Sequence, residues 1–267
     1  MVQHGQHRRL VAQPGALLAA AGLGALTTGF IEAPSRGMDA LVVPCLAGGA
    51  ALLAAFVAME ARQPAPIMPL GVFQSARFSG ANVLTLLLYA ALTGVLFGLP
   101  FLLIGTHGYS ASAAGAALLP LSLLLGGLSR PAGRLGERIG PRPLLVAGPL
   151  LAGLGFLLLG LRAGDGHYWS GVLPGMTALA AGMTLAVAPL TAAVMAAVPD
   201  GQAGVASGIN NAVARVAGLL AVSVLGLLAS GAADAVAGFR HVAYAGAICA
   251  AAAAAVAAGT IGGRAPA

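Results

Sequence analysis

The sequence predicts an all-α polytopic membrane protein, and three observations lead to this fold class. The 267 residues are 59% hydrophobic and only 7% charged, with a mean hydropathy of +0.94. A soluble domain carries about 25% charged residues. Apolar runs long enough to cross a bilayer, which takes about 20 residues in a helix, recur along the chain. These runs are continuous and do not alternate with polar residues, which favours helices over the strands of a membrane barrel.

Eight runs qualify as membrane spans, separated by short polar segments. The first run follows Arg8 and Arg9 but lacks a convincing cleavage site before Glu32, so we interpret it as a retained helix. The predicted spans are 15–31, 40–59, 80–104, 111–129, 143–161, 170–198, 205–231 and 238–261. The predicted organisation is an N-terminal segment 1–14, two helices in 15–59, a connector 60–79, six helices in 80–261 and a tail 262–267.

The arginines predict the orientation of the chain in the membrane. With eight spans both termini lie on one side, and that side holds nine arginines against three on the other. Short cytoplasmic loops carry the excess of Arg and Lys, so both termini are predicted to be cytoplasmic and the protein to be a multi-pass plasma-membrane protein. The nine are Arg8, Arg9, Arg62, Arg77, Arg130, Arg134, Arg138, Arg142 and Arg264; the three are Arg36, Arg162 and Arg240.

The same distribution excludes several other classes of function. The pI near 10.4 invites a nucleic-acid interpretation, but the arginines lie between apolar runs and not on one polar face. Cys45 and Cys249 lie inside apolar runs and indicate no disulfide framework. The five histidines have no metal-ligand spacing, so no metal site and no cofactor are expected.

One charged segment stands out between the fourth and fifth spans. Arg130, Arg134, Glu137, Arg138 and Arg142 fall within 13 positions of a chain that otherwise avoids charge. Membrane topology alone accounts for the positive charge of an inner loop. It does not account for the glycines or for the acid, and Glu137 is placed to pair with Arg134 or Arg138 across a short helical turn. We therefore predict an inner-loop gating motif made of Gly133, Arg134, Gly136, Glu137, Arg138, Gly140 and Arg142.

Three stretches, in order, resemble motifs of the major facilitator superfamily. The segment GRLGERIGPR at 133–142 resembles its inner-loop signature, with Glu137 in place of the more usual Asp. The segment PIMPLGVFQSARF at 66–78 and the segment SGINNAVAR at 207–215 resemble stretches of its fourteen-helix drug:proton antiporters. The resemblance implies two linker helices followed by a six-helix C-terminal bundle, and the N-terminal six-helix bundle has no counterpart here. It also implies proton-coupled export of hydrophobic or cationic drug-like molecules by alternating access.

The candidate residues of a substrate cavity are polar side chains inside the spans, where polar groups are costly. Arg215 falls near the middle of its span, Asn211 lies one turn earlier on the same face, and Asn210 is adjacent. On the third span Asn82 and Tyr89 share a face with Thr85. For Arg215 the alternative is snorkelling or capping of carbonyls, and for the third span it is hydrogen bonding between helices.

The sequence places no carboxylate in the middle of a span, so proton coupling requires acids from elsewhere. The chain is therefore expected to need a partner bundle, either a separately encoded N-terminal half or a second copy, besides the lipid bilayer and a small-molecule substrate. Two alternatives stay open. The first is a truncated, non-transporting remnant, and the second, more remote, is an intramembrane hydrolase that uses Ser207 with His241.

Overall fold

The computed structural model describes residues 2–62, 70–199, 201–230 and 232–262, and all the regular structure in these ranges is helical. It confirms the all-α class: eight helical segments in the described residues are long and apolar enough to cross a membrane. The α-helices, in chain order, are α1 (Val2–Arg36), α2 (Val42–Arg62), α3 (Ala76–Gly105), α4 (Ala111–Ala116), α5 (Leu119–Ile139), α6 (Pro141–Leu161), α7 (Leu173–Met195), α8 (Ala203–Ser230) and α9 (Ala235–Thr260). A 3₁₀ turn (Leu70–Gln74) precedes α3, and a π turn (Tyr168–Val172) precedes α7.

The predicted loop 130–142 is wrong, because most of it is helix. The helix α5 continues to Ile139 and α6 begins at Pro141, which leaves Gly140 as the single linking residue. Gly140 has a φ of 87°, a conformation that only glycine adopts readily, and proline is well suited to the first turn of the next helix. The fourth span is also broken near Ala117, so that α4 and α5 together make one crossing.

The chain divides into two compact units, Met1–Gln74 and Ser75–Ala267. In the first unit, α1 and α2 form an antiparallel hairpin whose backbones approach closely at glycines. A Cβ added to Gly49 would lie 2.8 Å from the backbone nitrogen of Leu26 and 2.9 Å from the carbonyl oxygen of Gly22. Small residues at such crossings allow helices to pack closely in a membrane.

The turn of this hairpin is held by Asp39. Its Oδ1 accepts hydrogen bonds from the backbone N–H groups of Leu41 and Val42, and its Oδ2 accepts one from Nε of Arg36 at 2.8 Å. The Val42 N–H and the Arg36 guanidinium, followed by the Leu41 N–H, lower the pKa of Asp39 to about 2. Asp39 therefore satisfies amides at the start of α2 that have no partner within the helix.

The second unit is a bundle of six spans in which two sets of three pack in an equivalent way. The first set is α3, α4–α5 and α6, and the second is α7, α8 and α9. The helix α3 packs on α8 and α9 of the second set, α7 packs on α5 and α6 of the first, and α6 packs on α9. Exchanging the two sets leaves these pairings unchanged, which is the arrangement of an internal three-helix repeat.

Four glycines bring α6 and α7 into backbone contact. A Cβ on Gly148 would lie 2.8 Å from the carbonyl oxygen of Gly182, and one on Gly182 would lie 2.5 Å from that of Gly148. Gly155 and Gly175 meet in the same way at a second crossing point of α6 and α7. A Cβ on Gly155 would lie 2.7 Å from the carbonyl oxygen of Gly175. The interface between the two sets therefore depends on residues without side chains.

The end of the bundle away from Gly140 is closed by hydrogen bonds between two loops. Nε2 of His107 and the carbonyl oxygen of Ala163 are 2.9 Å apart, and the hydroxyl of Tyr109 donates to the carbonyl oxygen of Gly166 at 2.9 Å. Asp165 in the second loop accepts from Ser170 Oγ and from the backbone N–H of His167. These bonds and the His167 side chain lower the pKa of Asp165 to about 2.

Candidate functional site

Most of the charged motif lies along the last turns of α5, with Gly133 and Gly136 on the side that faces the bundle. A Cβ on Gly136 would lie 3.3 Å from Cγ of Pro189 in α7, and one on Gly133 would lie 3.9 Å from Cβ of Ala188. The charged side chains of the motif are exposed, namely Arg134, Glu137, Arg138 and Arg142, and so is Arg130 just before it. On α5 the spacing of the motif thus places Gly133 and Gly136 against the bundle and the charged side chains away from it.

The predicted pairing of Glu137 with Arg134 or Arg138 is not formed. Within the described part of the chain, ion pairs occur at Arg36–Asp39 and at Asp165–His167. Consecutive residues such as 137 and 138 point to different sides of a helix, and an exposed pair of charges gains little over hydration by water. Glu137 is therefore open to groups outside the bundle.

Arg142 behaves differently from the rest of the motif, because it binds within the bundle. Its Nη2 donates to the carbonyl oxygen of Ala258 at 2.7 Å. Ala258 is in the last turn of α9, where carbonyl groups lack partners within the helix and the helix dipole favours a cation. Arg77 approaches the same helix end, since a Cβ on Gly262 would lie 3.4 Å from Nη2 of Arg77. Arg142 thus joins α6 to α9.

Two of the predicted cavity residues, Asn82 and Asn210, meet in a buried polar cluster between α3 and α8. Nδ2 of Asn210 donates to Oγ1 of Thr85 at 2.6 Å and to Oδ1 of Asn82 at 3.3 Å. Asn82 and Thr85 in turn donate to carbonyl oxygens of their own helix, those of Phe78 and Ala81. Asn82 is 6% exposed and Thr85 is fully buried. This arrangement corresponds to the alternative of hydrogen bonding between helices.

Tyr89 lies one turn beyond this cluster and is half-buried. A further turn along α3, Thr93 faces Gly218 of α8, where an added Cβ would lie 3.4 Å from Oγ1 of Thr93. Asn82, Thr85 and Thr93 on α3 therefore lie along the contact with α8.

Arg215 and Asn211 do not join that cluster, because they lie on a separate, exposed face of α8. This face also contains Gly204 and Gly208, at which an added Cβ would meet nothing within 4 Å. Asn211 donates from Nδ2 to the carbonyl oxygen of Ser207 at 2.9 Å. Arg215 makes no hydrogen bond or ion pair to the described residues. We call the residues Gly204, Gly208, Asn211 and Arg215 the α8 stripe.

Arg215 lies deep in its span. It is about 18 Å along the axis from the start of α8 at Ala203, at about 1.5 Å per residue. That is about half of a hydrocarbon layer ~30 Å thick. A guanidinium at this depth requires polar or aqueous surroundings, and the structure leaves it exposed on the bundle surface.

Thr85, which the sequence places on one face with Asn82 and Tyr89, is the centre of the α3–α8 cluster. The burial of Glu60 was not predicted from the sequence: its side chain is only 1% exposed in the last turns of α2. The described residues contain no group of three or more His, Cys, Asp or Glu side chains arranged to hold a metal ion.

Comparison with known proteins gives consistent matches. The family model described as Major Facilitator Superfamily matches residues 11–222. The chain is 34% identical to the puromycin resistance protein pur8 of Streptomyces alboniger over 83% of its own length and 45% of that protein. It is 35% identical to the cephamycin export protein CmcT of Amycolatopsis lactamdurans, over 79% of this chain and 44% of the relative. The multidrug resistance protein Stp of Mycobacterium tuberculosis is 32% identical over 79% of this chain and 39% of the relative.

The chain therefore spans less than half the length of these curated relatives. The family match and the eight membrane-spanning helices agree with each other and with the motif at 133–142. The chain belongs to the major facilitator superfamily.

Proposed function

We propose that this chain is a six-helix bundle with two accompanying helices of a drug-efflux transporter, and that it acts in export and not as an enzyme. The single observation that carries the proposal is the α8 stripe, which presents Arg215 and Asn211 on an exposed face of a span. In a family of transporters such a face serves to line a polar cavity near the membrane midplane. Relatives named for puromycin resistance, cephamycin export and multidrug resistance support drug-like molecules as the substrates.

Transport by this mechanism requires a second bundle. Alternating access is a rocking of one bundle against another around a site that both share. The active unit then contains this bundle together with an N-terminal six-helix bundle or with a second copy. The exposed charges of α5, with Glu137 unpaired within the described residues, support a gating contact of this motif with that second bundle.

The energy source in this proposal is the proton gradient across the plasma membrane. The excess of arginines in the inner segments supports cytoplasmic termini, and the export of substrate is then coupled to the entry of protons. The titratable carboxylates belong to the second bundle, because the one acid within the described spans of this bundle is Glu137, two residues from the end of its span.

The test is energy-dependent efflux of a hydrophobic dye from cells that lack their own exporters. The chain is produced alone and together with the N-terminal half of a relative such as pur8, with Arg215→Ala as the inactive control. Export that needs wild-type Arg215 and stops when a protonophore is added supports the proposal. If neither arrangement exports more than Arg215→Ala at equal membrane levels, the second candidate holds: a membrane-inserted remnant without transport.

A further inference from the structure

The charge that the α8 stripe offers to a ligand is positive. Arg215 is the one charged residue of the described span Ala203–Val222, and the span Tyr168–Met195 contains none. Arg130 on α5 also lies inside its span, nine residues from the end at Ile139, and the other charged residues in the described spans of the bundle lie within about five residues of a span end. The cavity face of this bundle therefore has a cation at mid-depth and no carboxylate beside it among the described residues.

The α8 stripe also has open space and hydrogen-bonding groups that a ligand could use. Gly204 and Gly208 leave open space on the approach to Arg215, since nothing lies within 4 Å of where their Cβ atoms would be. The Nδ2 of Asn211 is engaged by Ser207, which leaves its carbonyl oxygen as an acceptor one turn from the guanidinium. A guanidinium has five N–H donors in a planar fork that fits carboxylate, sulfonate and phosphate groups.

From these observations we infer that the α8 stripe binds the anionic group of an amphipathic substrate, with Arg215 as the anion-binding residue. This inference rests on the proposed function and changes its substrate class, because the resemblance alone implies hydrophobic or cationic molecules. A cationic substrate would be repelled by Arg215 in surroundings of low dielectric constant, where charges interact more strongly than in water. Charge complementarity thus selects anionic amphipaths for this face.

The test uses a pair of fluorescent probes that share an anilinonaphthalene-type body. One is 8-anilinonaphthalene-1-sulfonate, which is anionic, and the other is N-phenyl-1-naphthylamine, which is neutral. The full chain is placed in lipid nanodiscs, and saturable energy transfer from Trp169, its only tryptophan, reports binding to the protein. Trp169 is 77% exposed at the start of the α7 span, far in sequence from the stripe.

The variants are Arg215→Gln, Arg215→Lys and, as a matched control, Arg240→Gln, an exposed arginine on α9. We expect Arg215→Gln to weaken binding of the sulfonate about tenfold or more, which is the effect of losing one charge-assisted hydrogen bond. Binding of the neutral probe should change less than about twofold, Arg215→Lys should restore most of the sulfonate affinity, and Arg240→Gln should alter neither probe.

Three results would overturn the inference. Sulfonate binding that does not respond to Arg215→Gln, while the neutral probe binds, removes the role of Arg215 and leaves the proposed function standing. Equal weakening of both probes by Arg215→Gln, with the helical circular dichroism unchanged, shows a non-electrostatic role. If neither probe binds saturably to the wild-type chain, the stripe is not a ligand face, and this result also counts against the proposed function.

Discussion

The contact between α6 and α7 makes the substitution Gly182→Ala a sharp test of the bundle. The new Cβ would lie 2.5 Å from the carbonyl oxygen of Gly148 and 2.8 Å from Cα of Ala152, whereas ordinary contact begins at 3.4 Å. The backbone nitrogen of Ala152 is nearer still, so the helices must separate by at least about 0.9 Å, because these facing atoms are all backbone and cannot turn aside. Overpacking of this kind costs about 1–3 kcal/mol. We expect the thermal unfolding midpoint to fall by roughly 2–12 °C, at about 2–4 °C per kcal/mol for a chain of this size.

The matched control is Gly127→Ala, which makes the same substitution in the exposed part of α5. Nothing lies within 4 Å of its added Cβ, and alanine favours a helix over glycine by about 0.5–1 kcal/mol. The unfolding of both variants is followed by circular dichroism in one detergent. Equal midpoints for Gly182→Ala and the wild type would refute the close backbone contact.

Three further predictions follow from the contacts of charged residues. Glu137→Arg should reduce efflux by the assembled transporter at least tenfold without reducing membrane insertion, because the reversed charge meets the second bundle; unchanged export at equal expression would argue against a gating role. Arg142→Gln should speed hydrogen exchange of the amides at the end of α9 several-fold, while Arg138→Gln should leave them unchanged; equal effects would contradict the bond to Ala258. Because the pKa of Asp39 falls to about 2 from 3.8, its contribution to hairpin stability is complete above pH 3.8 and is lost as the pH falls through 2. Amide protection at Leu41 and Val42 should therefore decline in that pH window, and Asp39→Asn should remove the pH dependence; a wild-type decline near pH 6 would contradict this origin.

The spans could be predicted because their signal is local. Each needs only a run of apolar residues as long as the hydrocarbon layer is thick, and all eight appear in the structure. The extension of α5 to Ile139 was not predicted. Charged side chains indicate that a segment leaves the apolar layer, but such a segment can still be helical. Only Gly140, with its positive φ, ends that helix.

The contacts between helices depend on which faces meet, and the sequence does not contain that information in local form. Gly175 follows Gly171 by four residues, and Gly208 follows Gly204 by the same spacing. Gly175 nevertheless lies at a close crossing of helices, whereas Gly204 and Gly208 face open space. Asn210 and Asn211 are adjacent in sequence, but one bonds to α3 and the other lies on the exposed stripe. A rotation of about 100° per residue separates their roles. Arg142 belongs to the predicted gating motif, but its side chain donates a hydrogen bond to the carbonyl oxygen of Ala258, 116 positions away.

The most direct test of the central claim is the efflux measurement with the chain, its Arg215→Ala variant and the N-terminal half of a relative. A transporter bundle that lines its cavity with the α8 stripe should export a hydrophobic dye in the assembled form. Export should stop with Arg215→Ala and with a protonophore. Equal dye retention in cells with the wild-type chain, with the variant and with an empty vector, at matched membrane levels and with the second half present, would contradict the account.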